Sequence, residues 1–127
     1  MIDGFEEYTF KLTDEEQRLL PYLRAVIRRH VGEEQAATAG QLSREVRDRY
    51  SVPGIEGPRM RKLIHNIRVS GDIEKLVASS RGYYIATTDE EVKQYAESLR
   101  ERAAAILAVR KSLLACLEPV EQLLLGI

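Results

Sequence analysis

The stretch PRMRKLIHNIRVSGDIEKLVASSRGYYIA, Pro58–Ala86, decides the fold. At 100° per residue Met60, Leu63, Ile64 and Ile67 fall within one narrow arc, which must face a core. The opposite arc carries Lys62, His65, Asn66 and Val69, with Arg59, Arg61 and Arg68 on its flanks. Pro58 stands at the first helical position, where its missing N–H is harmless, and Gly71 stops the helix. Two β-prone runs follow, Lys75–Ala78 and Tyr83–Ala86, joined by Ser79-Ser80-Arg81-Gly82. Gly82 can supply the positive φ of a tight hairpin. Tyr83 and Tyr84 alternate faces, so one belongs to the core and the other is partly exposed.

Working towards the N-terminus, Ser51-Val52-Pro53-Gly54-Ile55 is a turn by its Pro-Gly pair. A short helix precedes it, capped by Thr38 and running to about Tyr50, with Leu42, Val46 and Tyr50 on its buried side. Arg44, Arg47 and Arg49 fall elsewhere on that helix, available to phosphates. A first helix is predicted from Thr13 to about Val31 and is ended by Gly32. Thr13 and Glu16 form a capping box, and Leu19, Leu20, Leu23, Val26, Ile27 and Val31 make one buried stripe. Pro21 lies within it, so a kink or a late start is expected there.

Beyond the hairpin, Thr87 or Thr88, with Glu90 or Glu91 three residues on, caps a long helix that meets no Gly or Pro before Pro119. Val92, Leu99, Ile106, Leu113 and Val120 recur every seven residues along it, a heptad stripe longer than a small domain can cover. Val92, Leu99, Ile106 and Leu113 are therefore the expected contacts of a homodimer. Past Pro119, Val120–Leu125 forms a final apolar turn. The expected organisation is an acidic segment at 1–11, a folded domain at 12–87, the dimerisation helix at 88–118 and an apolar tail at 119–127.

Length and composition set the outer bounds. With 127 residues there is room for one core, and 44% hydrophobic with 31% charged residues excludes a disordered chain. No apolar run approaches the roughly 20 residues that cross a bilayer, and the acidic start does not resemble a secretory signal, so a cytoplasmic protein is expected. Cys116 alone makes no internal disulfide and reads as an apolar filler of the long helix. Cys116, His30 and His65 are too scattered for a zinc site, so neither metal nor cofactor is expected. No nucleophile motif accompanies the histidines and no glycine-rich phosphate loop is present, so an enzyme is not expected. Asp89, Glu90 and Glu91 are ordinary helix-start acids. A net charge of −1 argues against a general nucleic-acid coat, but the charge is unevenly spread. Asp3, Glu6, Glu7, Asp14, Glu15 and Glu16 crowd the first 16 residues, whereas Arg59–Arg68 contains no acid.

In the order helix, helix, turn, helix, hairpin the chain resembles the winged helix-turn-helix superfamily. Arg59–Arg68 and Ser79–Thr87 are similar to a group of small uncharacterised proteins encoded in bacteriophage and prophage replication or regulatory regions, over about Leu12 to Leu114. The resemblance implies a mainly α fold with a small β-hairpin wing, of α+β class, followed by a long C-terminal helix. It also implies double-stranded DNA binding, with the third helix in the major groove and the wing beside it. Arg59, Arg61, Lys62, His65, Asn66, Arg68, Lys75 and Arg81 are the candidate DNA contacts, since Arg forks onto guanine and Asn onto adenine. Transcription regulation or replication initiation is the expected role. The rival is an interaction module that docks a replication or transcription protein through the long helix and apolar tail. Changing Arg61 and Lys62 to Ala is expected to abolish DNA binding and leave the melting temperature nearly unchanged. The acidic N-terminal segment is a candidate competitor for the basic face.

Overall fold

A computed structural model describes residues 11–117, 119–124 and 126; the acidic segment expected at the N-terminus lies almost wholly outside them, as does Leu125. The described part is mainly helical with one two-stranded antiparallel sheet. It divides after Val92 into two compact units.

In the first unit, helix α1 spans Asp14–Ile27 and opens on the expected capping box, in which Thr13 Oγ1 accepts from the Glu16 amide and Glu16 accepts from the Thr13 amide. It starts before Pro21 and continues through it, so the late start is not seen. Pro21 and Gln17, whose carbonyl would have accepted from position 21, are both exposed, and water can serve that carbonyl. The helix also ends four residues earlier than the apolar pattern suggests. His30 O accepts from the Ile85 amide and the Gly32 amide donates to Ile85 O, so residues 30–32 are drawn into strand pairing and Val31 is left exposed. A 3₁₀ turn, Glu33–Gln35, follows, and Ala37 then exchanges both backbone hydrogen bonds with Tyr83.

Helix α2, Ala39–Tyr50, is capped by Thr38, with Gln41 completing a second capping box. Leu42 and Val46 are buried as expected; Tyr50 is not. It sits at the helix end, where its ring lies 5.0 Å from that of Tyr22 and one side faces water. Helix α3, Gly57–Ser70, starts one residue before Pro58, which therefore takes the second position, and ends on Gly71 in the left-handed conformation. Met60, Leu63, Ile64 and Ile67 are at most 1% exposed, so the predicted arc is the buried one. They meet Leu19, Leu23, Val26 and Ile27 of α1 and Leu42 and Val46 of α2 in one core, which Ile55 and Ile73 extend.

Strands β1, Leu76–Ser79, and β2, Gly82–Ile85, pair in the register Leu76↔Ile85 and Ser79↔Gly82, with Ser80 and Arg81 at the tip. Tyr84 is buried and Tyr83 half-buried. On the other edge of β2 two isolated bridges, Val31 with Ile85 and Ala37 with Tyr83, lie either side of the 3₁₀ turn, so that strand has backbone partners on both edges. Gly82 has φ +124°, and a Cβ there would collide with the Ala37 carbonyl. The glycine is thus required twice, by its own backbone and by the segment beside it.

Helix α4, Asp89–Leu114, begins on the expected acids, with Thr88 Oγ1 accepting from the Glu91 amide. Hydrogen bonds from Thr87 and Thr88 hold the Glu91 carboxyl below its ordinary pKa against a smaller opposing effect of burial. The helix stops at Leu114 rather than near 118, so Cys116 falls in the turn beyond it and is exposed, not a filler. Every residue from Leu99 to Leu113 is exposed, including Ile106, Leu107 and Val109. A last helix, α5, covers Pro119–Leu124.

Candidate nucleic-acid interface

The candidate face is built on the outer side of α3, whose inner side is pinned by its four buried apolar residues. Arg61 and His65 stand outward and exposed, with Val69, 74% exposed, one turn beyond His65. An open groove of about 690 Å³ runs along this face. Glu56, Pro58, Arg61 and His65 line it from α3 and the residue before it, and Tyr83 lines it from the hairpin. Arg68 joins the two elements, its guanidinium carbon 5.4 Å from the centre of the Tyr83 ring, within the range of a cation–π contact. Helix and hairpin therefore meet in a single groove, in which Arg59, Arg61, Lys62 and Arg68 stand with Glu16 and Glu56.

Two of the eight candidate contacts are held by acids of α1. Lys62 Nζ lies 2.8 Å from Glu16 Oε1, and Arg59 Nε lies 3.4 Å from Glu16 Oε2. Arg59 also reaches the exposed Glu15 at 3.6 Å. Glu16 is the buried member, its side chain only 5% exposed. Burial alone would push its carboxyl up, but hydrogen bonds from Lys62 and Thr13, with the ammonium charge, outweigh that and hold it below its ordinary pKa. The sequence marked Glu16 as a capping residue and gave no sign of this second role, since its partners lie more than 40 positions away.

The remaining candidates are dispersed. The side-chain amide of Asn66 donates to Lys62 O, its own helix, at 3.0 Å. Lys75, in the left-handed conformation just before β1, pairs with Asp89 at 3.1 Å and so ties the hairpin base to the start of α4. Arg81 is exposed at the hairpin tip, where its amide donates to Ser79 Oγ. Arg44 and Arg49 border a shallow depression on α2 with Glu45 and Asp48 between them, a mixed surface rather than a basic one. His30, between Gln35 O and Glu45, fastens the segment after α1 to α2 and lies outside the α3 groove. Among the described residues no cluster of three or more His, Cys, Asp or Glu could hold a metal, and no helix is long and apolar enough to cross a membrane. No protein-family model, curated protein or solved structure matches the chain.

Proposed function

We propose that this is a non-catalytic, double-stranded DNA-binding protein with a winged helix-turn-helix fold, of phage or prophage type. It acts in the cytoplasm, in transcription regulation or replication initiation. The observation that carries the reading is the division of α3 into a fully buried apolar arc and an outward face bearing Arg61 and His65, continuous through Arg68 and Tyr83 with the hairpin that carries Arg81. The order α1, edge segment, α2, α3, hairpin, with β2 partnered on both edges, supports it. In this account α3 enters the major groove, Arg61 addresses base edges, and Arg81 follows the flanking backbone or minor groove. Two copies associate through α4, whose stripe Leu99, Ile106 and Leu113 is exposed. A two-fold pair would read a pseudo-palindromic site.

One observation favours the rival. Residues 103–109 are seven consecutive exposed apolar residues, about two helical turns, so they present apolar surface on every side of α4. A replication or transcription protein docked there would explain that belt as well as a second copy does. Salt dependence separates the two readings. Binding of duplex DNA to the purified protein should weaken steeply as salt rises, by about 3.5-fold per phosphate contact for each fourfold increase. Absence of duplex binding even at low salt, with the protein folded, refutes the DNA reading and leaves the docking one.

A further inference from the structure

We infer that Glu16 is a specificity-determining residue of the DNA-binding face, a buried internal anion that withholds Lys62 and Arg59 from DNA phosphates. The inference rests on the DNA-binding reading above and adds a residue from α1 to it.

Three features of the cluster carry it. First, Glu16 is fixed from its own helix, because Oε1 accepts from the Thr13 amide at 2.9 Å, so the carboxylate cannot swing away without undoing the cap of α1. Second, the carboxylate is almost wholly buried while both cations are partly open to solvent: Lys62 is 21% and Arg59 39% exposed. The two cations lie next to Arg61 on the groove that would receive a phosphate backbone. Third, the charges nearly cancel, since Glu15 and Glu16 face Arg59 and Lys62 as two acids against two bases. Phosphate contacts supply sequence-independent affinity, whereas base-edge contacts discriminate. An anion that occupies the phosphate-seeking cations and leaves Arg61 outward lowers binding to random DNA more than binding to a chosen site.

The test uses the full chain and a random-sequence duplex, with affinity measured from about 50 to 200 mM salt. Glu16→Gln retains an acceptor for the Thr13 amide, as a capping box allows, and removes the charge. It should bind random duplex more tightly, with a salt slope steeper by about one, so that the fourfold rise in salt weakens it about 3.5-fold more than the parent. Glu15→Gln changes net charge equally at an exposed position and should alter the slope much less. The double variant Glu16→Gln/Lys62→Gln removes the buried pair as a unit, so that neither charge is left without its partner, and should return the slope to that of the parent. Equal slopes for the parent and Glu16→Gln, or a slope shallower than the parent by about one in the double variant, overturn the inference while leaving DNA binding intact. No duplex binding by any of the proteins overturns the DNA reading and this inference together.

Discussion

Lys62→Ala is the substitution for which sequence and structure give different expectations. On the sequence Lys62 is a surface cation whose loss should hardly touch stability. In the structure it is the closest partner of a carboxylate that is 5% exposed. Its removal leaves Glu16 with the Thr13 amide and with Arg59 at 3.4 Å. Breaking a fully buried pair from one side costs about 3–5 kcal/mol. Lys62 is itself partly solvated and Arg59 can move closer, which brings the expected cost to about 1.5–3 kcal/mol, the range of a hydrogen bond to a charged group. The melting temperature should fall by roughly 6–15 °C. The effect also has a pH signature. Because the folded pKa of Glu16 lies below its unfolded value, its contribution is fully present above the ordinary carboxylate range and is lost as pH falls through the lowered folded value. The gap between parent and variant should therefore be wide near neutrality and narrow in strong acid. Thermal melts followed by circular dichroism at about pH 7 and about pH 3 measure both. An unchanged melting temperature at neutrality, or the same gap at both pH values, would refute the assignment of Glu16 and Lys62 as a coupled buried pair.

Arg61→Ala, by contrast, changes an exposed side chain and should leave the melting temperature within a degree or two while lowering affinity for a preferred duplex by about 5- to 150-fold, the worth of one bidentate base contact. Gly82→Ala sets a side chain against the Ala37 carbonyl at φ +124° and should cost more than about 2 kcal/mol, read as a lower denaturation midpoint with unchanged slope. Leu99→Glu together with Ile106→Glu should convert a dimer to a monomer in sedimentation or light scattering without altering the melt of the first unit; an unchanged mass removes α4 from the interface. Ile64→Ala, in the fully buried arc of α3, should cost about 2–5 kcal/mol in chemical denaturation.

What could be read from the sequence was local. The buried arc of α3, the stop at Gly71, the caps at Thr13, Thr38 and Thr88 and the positive φ of Gly82 depend on residues a few positions apart. What escaped depends on partners distant in the chain. Val31 continues the apolar spacing of α1, yet Ile85 recruits the adjoining backbone into strand pairing and the helix stops at Ile27. Tyr50 keeps the spacing of α2 but falls at its end, beside Tyr22 rather than in the core. Ile55, in a segment recognisable only as a turn, is buried because its amide donates to Ser43 Oγ and fixes the loop under α2. The candidate face shows the same division. That α3 is basic on one side was plain from its periodicity. Which of its cations are held by α1 was not, because Glu16 and Lys62 are 46 positions apart and each has an adequate local explanation.

The most direct measurement is selection from a random double-stranded DNA pool near physiological salt, with sequencing of the bound fraction, for the parent protein and Arg61→Ala. A recurrent half-site should be enriched by the parent, paired with its inverted copy if the protein is a two-fold dimer, and weakened or relaxed at one position by Arg61→Ala. A folded parent protein that enriches no sequence would contradict the DNA-binding reading.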